Sequence, residues 1–440
     1  MNPMDLLRPV VMGSVPAAAI RPAGTRWRGA REAPAWSPRT RVAEPLRPRV
    51  LFVAPQPFYE DRGTPIAVRQ VLQALGELGY AVDLLTYPVG GDVTIPGLRI
   101  FRGANPFGIR TVPVGLSVRK LLLDISLAAA LRAHLRSQSY TCVHAVEEMA
   151  FPAALLGRRY GVPVLYDMQS SLPEQLSRRA PFGWAPVRRI LEHLERWLID
   201  RADLIVSSAG LAGKVQRAVP NAPVREWHFP SAPVEAEAPD VGELRERLGL
   251  SAEEPVILYS GTFEAYQGLP ELIAAIPLVL AQVPSATFVL VGADRANGLA
   301  TQESTEALLR SGALRIVERQ PRSEMAAYLA MADVLVSPRA YGGNLPLKIF
   351  DYLAAGRPIV ATDIPTHRTV LSEDRAVLVA PHTEALAQGI LAVLGDRLRA
   401  QRLAAAARSY AQTHLGWNRF VDSVEALYAE VERHAKVAGG

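Results

Sequence analysis

Short apolar segments alternate with helical patterns along most of this chain, and this alternation limits the fold more than any other feature. The first example begins with RVLFVAP (49–55), continues through a helical pattern at 65–80 and ends with AVDLLTY (81–87). A strand, a helix and a second strand of these lengths form a βαβ unit, which requires a parallel sheet. The sequence therefore predicts an α/β protein.

The alternation occurs in two series, separated by a proline-rich stretch without a clear period at 219–239. Because a chain of 440 residues exceeds one comfortable core, we predict two doubly wound, Rossmann-like domains that face each other across a cleft. The predicted divisions are a disordered basic Pro/Arg-rich extension (1–48), an amino-terminal domain (49–218), a linker (219–239), a carboxy-terminal domain (240–400) and helices that cross back to the first domain (401–440).

The net charge of +5 arises in the first 49 residues, which hold nine arginines and three acidic residues. The rest of the chain is close to neutral, which argues against a nucleic-acid partner. Cys142 is the only cysteine, so no internal disulfide forms, and this suits a reducing compartment. No run of 18 apolar residues and no signal-peptide pattern occurs, so we expect a cytoplasmic protein.

The segment YGGNLPLKIFDYLAAGRPIV (341–360) directly follows a predicted strand, at the sheet edge where ligands bind in doubly wound folds. Lys348 lies in the first turn of the predicted helix, where the helix dipole disfavours a cation unless an anion binds beside it. Asp351, one turn on, can accept hydrogen bonds from vicinal hydroxyls. This pair fits a nucleoside diphosphate, and the alternative is an ordinary surface Lys–Asp pair; the residues alone leave both open.

The same segment, together with the upstream YSGTFEAYQGLPELIAA, resembles the carboxy-terminal half of GT-B glycosyltransferases of family 4 (group 1), in a variant branch with a P-x-K-x-x-[DE]-Y donor motif. The resemblance implies a retaining, metal-independent hexosyltransferase that uses a nucleotide diphosphate-sugar as co-substrate and no cofactor. It also implies a donor site in the carboxy-terminal domain and an acceptor site in the amino-terminal domain. The expected partners are the nucleotide-sugar donor and a sugar or lipid-linked acceptor.

The resemblance implies a donor site in two parts. In the family, a carboxylate at the position of Asp351 binds the ribose, a carboxylate at the position of Gly343 contacts the sugar, and basic residues stand where this chain has Thr262 and Gln267. The expected nucleotide and diphosphate contacts are Gly261, Thr262, Gln267, Gly292, Arg339, Lys348 and Asp351. The expected sugar contacts are Gly343, Asn344, Leu345, Pro346 and Leu347.

The amino-terminal domain contributes a glycine loop and two strand ends. Arg62, Gly63 and Thr64 are the candidate acceptor or sugar loop. Glu147 and Gln169 follow predicted strands and are the candidate catalytic residues, Gln169 standing where the family has a histidine. His144 falls within a strand pattern, which favours a buried core histidine over a cleft residue.

Several alternatives remain open at this stage. No Asp-x-Asp and no Cys/His cluster with metal-ligand spacing occurs, so we predict no metal site. The helical patterns at 118–136 and 186–201 either contact the inner face of an anionic membrane or are core helices with solvated charges. The alternatives to a transferase are a catalytically silent scaffold of the same fold and a nucleotide-sugar epimerase.

Overall fold

The computed structural model describes residues 47–60, 63–112, 117–176, 184–231, 240–293, 303–342 and 345–438. Two parallel sheets with helices on their faces organise these residues. Residues 1–46 of the extension predicted at 1–48 are outside the described residues. The assignment of this part as an extension therefore stays a prediction.

The amino-terminal sheet has seven parallel strands within the described ranges, in the spatial order β3-β2-β1-β4-β5-β6-β7. The strands are β1 (Arg47–Ala54), β2 (Tyr80–Thr86), β3 (Leu98–Arg102), β4 (Cys142–Val146), β5 (Val164–Met168), β6 (Leu204–Ser207) and β7 (Val224–Glu226). The helices are α1 (Gly63–Glu77), α2 (Val118–Ser137), α3 (Ala150–Tyr160), α4 (Leu172–Leu176), α5 (Ala185–Ile199) and α6 (Ala209–Ala218). Because helices cover both faces, β4, β5 and β6 are buried at every position.

The carboxy-terminal sheet has six parallel strands in the part of the chain that the structure describes, in the order β10-β9-β8-β11-β12-β13. The strands are β8 (Val256–Ser260), β9 (Thr287–Ala293), β10 (Leu314–Glu318), β11 (Val334–Ser337), β12 (Ile359–Thr362) and β13 (Val377–Val379). The helices are α7 (Val241–Arg247), α8 (Leu269–Leu280), α9 (Glu303–Ser311), α10 (Arg322–Met331), α11 (Lys348–Ala355), α12 (Thr383–Gly395) and α13 (Arg397–His414).

Each sheet reverses its direction of growth beside one central strand. β1 lies between β2 and β4, and β8 lies between β9 and β11. At such a switch point the loops that leave the two neighbouring strands diverge, and a crevice opens at the carboxyl ends of the strands. The predicted pair of doubly wound α/β domains is therefore confirmed.

Two of the predicted domain boundaries are wrong in detail. Val224–Glu226 was assigned to the linker but pairs in parallel with β6 as strand β7, because its apolar first residue is buried against the sheet. The boundary predicted at residue 400 falls inside α13, which packs on α11 and α12 and stays with the second sheet.

The chain returns to the first domain in its last helix, α14 (Trp417–Ala438). The hydroxyl of Tyr428 lies 2.7 Å from Nδ1 of His144 on β4. The hydroxyl of Tyr80 donates to Glu432 at 2.7 Å, and the indole of Trp417 donates to Glu77 at 3.0 Å. These contacts join the end of the chain to the first sheet. Within the described ranges, no helix has the length and apolar content needed to cross a membrane.

Candidate functional site

A cleft of about 1050 Å³ lies between the two sheets. Its walls come from the segments that follow β1, β4, β5, β6 and β7 on the amino-terminal side and β8, β9, β10 and β11 on the carboxy-terminal side. Since all strands in each sheet are parallel, their carboxyl ends meet at one edge, and the two edges form this cleft. Every predicted site residue that the structure describes lines it.

Two glycines allow backbone to pack closely at the ends of β8 and β9. Gly261 has a φ of 139° and Gly292 a φ of 116°, values that side chains with a Cβ rarely adopt. A Cβ on Gly292 would stand 2.2 Å from the backbone oxygen of Gly261, and a Cβ on Gly261 would stand 3.0 Å from Nζ of Lys348. Thr262 follows and also lines the cleft. The loop therefore presents bare backbone to the cleft beside a lysine.

Lys348 is the first residue of α11, and Leu345, Pro346 and Leu347 lead into it along the cleft. Its Nζ donates to Oε1 of Gln267 at 3.1 Å and lies 3.9 Å from the centroid of the Tyr259 ring. Burial, together with the charge of Arg339, holds the pKa of Lys348 well below its usual range. A partly desolvated ammonium at a helix N-terminus is stabilised by an anion in the same place.

A hydrogen bond fixes α11 to the end of β8. The hydroxyl of Tyr352 accepts from the backbone N–H of Ser260 at 2.9 Å, and both residues are buried. The N-terminus of α11 is thereby held next to the loop at Gly261. This contact depends on tertiary packing between residues that are far apart in the sequence.

Arg339 supplies a second cation at the end of β11. Its side chain is only 4% exposed, its guanidinium carbon lies 5.1 Å from the centroid of the Tyr266 ring, and its Nε donates to the carbonyl of Tyr341 at 2.8 Å. Burial lowers its pKa. An arginine and a lysine therefore lie on the same wall as the neutral residues Thr262 and Gln267.

Asp351 lies one turn into α11 and has a partner that sequence reasoning missed. Nη2 of Arg322, the first residue of α10, lies 3.2 Å from Oδ1 of Asp351. The loop that holds Arg319 and leads to Arg322 follows β10 and lines the cleft. Because β10 was predicted from LRIVER, the rule that ligands bind at strand ends could have identified both arginines.

The amino-terminal wall begins at Gly63 and Thr64, which open α1 and line the cleft. Arg62, predicted with them, and Gly343 and Asn344 of the predicted sugar site lie outside the described residues, so these three assignments stay predictions.

Glu147 follows β4 with a φ of 52°, the only positive φ of a non-glycine residue in the described part of the chain. The hydroxyl of Ser170 donates to its two carboxylate oxygens at 2.9 and 3.0 Å. Burial and then the neighbouring Glu148 raise the pKa of Glu147 well above its usual range. Glu148 in turn forms an ion pair with Lys120.

Gln169 lines the cleft, but its amide is engaged by the chain itself. Nε2 donates to both oxygens of the buried Asp167 at 2.9 Å. His144 is fully buried on β4, where its Nε2 lies 3.5 Å from Asp167, and it does not line the cleft. His144 therefore lies in the core, as its place within a strand pattern predicted. Among the residues that the structure describes, no group of three or more His, Cys, Asp or Glu side chains could hold a metal ion.

Solved structures share this arrangement of two domains. Sucrose-phosphate synthase from Thermosynechococcus elongatus matches with a TM-score of 0.73 at 22% identity, over 88% of this chain and 99% of that chain. HepE from Anabaena, solved in complex with UDP-glucose, matches with a TM-score of 0.67 at 16% identity, over 87% of this chain and 100% of that chain. The fold is therefore GT-B, the fold class of many glycosyltransferases.

Sequence comparison finds a glycosyltransferase domain model in each half of the chain. Residues 240–410 match Glycosyl transferases group 1, and residues 62–228 match the Glycosyl transferase 4-like domain; together the matches span more than three quarters of the chain. The D-inositol 3-phosphate glycosyltransferase of Xylanimonas cellulosilytica is 27% identical over 398 residues, which cover 84% of this chain and 92% of that relative. Each half of the chain therefore resembles a glycosyltransferase domain, and the carboxy-terminal half resembles that of the group 1 enzymes.

Proposed function

We propose that this protein is a retaining, metal-independent hexosyltransferase that moves a sugar from a nucleoside diphosphate donor to a hydroxyl group of an acceptor. The observation that carries the proposal is the desolvated Lys348 at the N-terminus of α11, beside the bare backbone of Gly261. A cation whose pKa burial lowers is stabilised when a phosphate occupies the adjoining space. UDP-glucose bound to HepE, a protein of the same fold, supports a donor of this type.

The donor is held by three features of the carboxy-terminal wall. Lys348 and Arg339 bind the diphosphate together with the first N–H groups of α11. Asp351 accepts hydrogen bonds from the ribose hydroxyls, and Arg322 keeps its carboxylate in place. Leu345, Pro346 and Leu347 lie where the sugar would extend towards the amino-terminal wall.

Transfer breaks the bond between the anomeric carbon and the diphosphate oxygen and forms a bond from that carbon to the acceptor oxygen. The diphosphate leaves with the electron pair and takes up the proton that the acceptor hydroxyl loses. Its growing negative charge is stabilised by cations and N–H groups that are already in position. Glu147 and Gln169 lie on the opposite wall, where they orient the acceptor and the sugar. Holding both reactants in attack geometry supplies much of the remaining rate enhancement.

Calorimetry with UDP-, GDP- and ADP-sugars tests donor binding, and release of the nucleoside diphosphate in the presence of sugar acceptors tests transfer. We expect one donor to bind in the micromolar range and its product to keep the donor's anomeric configuration by NMR. A product of inverted configuration would contradict retention. Loss of activity in EDTA that Mg²⁺ or Mn²⁺ restores would contradict metal independence. A protein that binds no donor would be a scaffold.

We also propose that the amino-terminal domain contacts an anionic membrane surface. In the described residues, eight of the ten large hydrophobic side chains that are exposed lie between Phe107 and Leu194. Three of them, Leu155, Ile190 and Leu194, share a surface groove of about 720 Å³ between α3 and α5. Arginines border this groove at positions 189, 196 and 201. Apolar side chains framed by arginine suit the interface of a bilayer that contains acidic lipid.

Co-sedimentation with vesicles tests this contact. We expect binding to phosphatidylglycerol vesicles, weaker binding to phosphatidylcholine vesicles, and loss of binding when Ile190→Ser and Leu194→Ser are combined. Leu278→Ser is the matched control, because Leu278 is 43% exposed on α8 of the other domain. Equal binding to both vesicle types, or equal loss in the control, would refute the contact.

A further inference from the structure

A residue that lines the cleft on the amino-terminal wall carries a buried side-chain amide nitrogen without a hydrogen-bond partner in the described part of the chain. Gln56 follows β1, lines the cleft and is only 7% exposed, yet its Nε2 has no hydrogen-bond partner among the described residues. Its backbone carbonyl is fixed, since it accepts from the hydroxyl of Thr86 at 2.6 Å and from the N–H of Tyr87 at 3.3 Å. A buried polar group without a partner is destabilising, and a ligand hydroxyl oxygen that accepts a hydrogen bond from it would offset that cost.

Ser208 has the same property at the end of β6. Ser208 lines the cleft, and its buried hydroxyl has no hydrogen-bond partner among the described residues. Gln56 and Ser208 therefore offer an amide and a hydroxyl on the wall opposite the proposed donor site. Such groups pair with alcohols, which both donate and accept hydrogen bonds.

The charges on this wall are mostly negative. Its described acidic residues in the cleft are Glu147, Glu148, Asp167 and Glu174. Lys120 is the one cation among the described residues that line this wall, and it already pairs with Glu148. Lys214, which does not line the cleft, pairs with Glu174, so Glu147 and Asp167 are the acids of this wall without a lysine or arginine partner among the described ion pairs. The raised pKa of Glu147, caused by burial and then by Glu148, is consistent with a negative local potential.

The opposite wall has the reverse character. It carries the cations Arg319, Arg322, Arg339 and Lys348, which suit the diphosphate of the donor. A phosphate group on the acceptor would instead lie against carboxylates, and like charges brought together at an interface repel and weaken binding. Neutral hydroxyl groups would find acceptors at Glu147 and Glu148 and a donor at Gln56.

We infer that the acceptor is a neutral polyhydroxylated sugar and not a sugar phosphate, with Gln56 and Glu147 as the groups that bind its hydroxyls. This inference rests on the transferase activity proposed above and narrows its acceptor. It separates this chain from its relative from Xylanimonas cellulosilytica, whose name specifies a phosphorylated inositol.

The test compares matched acceptors with the donor that binds best in calorimetry. The pairs are glucose and glucose 6-phosphate, myo-inositol and its 3-phosphate, and sucrose and sucrose 6-phosphate. We expect kcat/KM to be at least about 10-fold higher for the neutral member of the preferred pair, the discrimination that about 1.4 kcal/mol provides. A better phosphorylated acceptor overturns the inference. Transfer to none of the neutral sugars, by protein that binds its donor, also overturns it, whereas a failure to bind any donor refutes the proposed function instead.

Two variants test whether Gln56 binds the acceptor and whether Glu148 disfavours a phosphorylated one. Gln56→Leu should raise KM for the neutral acceptor by about 10-fold through the lost hydrogen bond and leave the donor Kd unchanged, with partial recovery in Gln56→Asn. Glu148→Gln releases Lys120 from its ion pair and should lower the ratio of neutral to phosphorylated turnover. Glu306→Gln is the matched control, because Glu306 is on α9 outside the cleft and pairs with Arg310. An unchanged KM in Gln56→Leu together with an unchanged ratio in Glu148→Gln would overturn the assignment.

Discussion

Replacement of Lys348 by methionine is the most direct test of the donor site. The change removes the ammonium and keeps a flexible apolar side chain of similar length at the start of α11. In the folded protein the ammonium contacts Gln267 and the face of Tyr259, and it lies where a phosphate oxygen would approach Gly261. We therefore expect Lys348→Met to weaken binding of every nucleoside diphosphate, whichever base it carries.

The size of the effect follows from the surroundings of Lys348. Opposite unit charges 4 Å apart attract by about 4 kcal/mol at an effective dielectric constant of about 20. Arg339 and the N-terminus of α11 share the charge of the diphosphate, so the loss should fall to about 2–3 kcal/mol, within the range of about 2–5 kcal/mol measured for desolvated pairs. That loss corresponds to an increase in Kd of about 30- to 150-fold.

Calorimetry with UDP, GDP, ADP and pyrophosphate measures these dissociation constants. Pyrophosphate should lose as large a factor as the nucleotides, because it retains the charge and lacks the nucleoside. Arg310→Gln is the control, since this exposed arginine of α9 pairs with Glu306 and lies outside the cleft. Thermal melting should show that both variants are folded. A change in Kd of less than about 3-fold in Lys348→Met, equivalent to about 0.65 kcal/mol, would refute the assignment of Lys348 to the diphosphate.

The affinity of the wild type should also depend on pH. Because burial lowers the pKa of Lys348 in the free protein and a bound diphosphate favours the charged form, binding takes up a proton. The affinity should therefore fall as the pH rises above the lowered pKa. Lys348→Met should flatten this dependence, and an equal slope in both proteins would contradict the assignment.

Three further predictions concern other parts of the molecule. Asp351→Asn should raise the Kd for UDP by about 10-fold through weaker ribose contacts, and it should leave pyrophosphate binding unchanged; equal losses for both ligands would contradict a ribose contact. Burial lowers the pKa of His367 to about 4, so the unfolded chain binds the proton more readily, and the free energy of unfolding should fall as the pH drops from about 6.5 to about 4. Chemical denaturation should show that the free energy of unfolding falls less over this pH range in His367→Gln than in the wild type. An equal fall in both proteins would be evidence against this linkage. Tyr428→Phe removes the hydrogen bond to His144 and should lower the free energy of unfolding by about 1 kcal/mol without changing donor Kd; an altered Kd would mean that the packing of α14 reaches the site.

The fold was predictable because its signal is local. Each buried strand needs a run of apolar residues, and each covering helix needs an apolar face, so both appear within short windows of sequence. Strand β7 was missed because three residues, two of them exposed, carry too little apolar signal beside several prolines. Its formation depends on the neighbouring strand β6, which no local pattern reveals.

The candidate site was predictable in part for a related reason. Loops at the carboxyl ends of parallel strands meet at one edge, so their residues could be assigned to a common cleft without coordinates. The partners within the cleft could not, because Arg322 and Asp351, or Ser170 and Glu147, are brought together by helices and loops that are distant in the sequence. Gln56 gave no sequence signal, since an amide draws attention only once burial leaves it without a partner.

The sequence by itself determined two doubly wound domains, the strand ends that form the cleft, and a lysine in the first turn of a helix that calls for an anion. Only the tertiary structure decided that Lys348 is desolvated beside Gly261, that Arg339 supplies a second cation, and that acidic groups dominate the described part of the opposite wall. The physical reason is that hydrophobic periodicity is written in neighbouring residues, whereas desolvation and charge pairing depend on distances set by the whole fold.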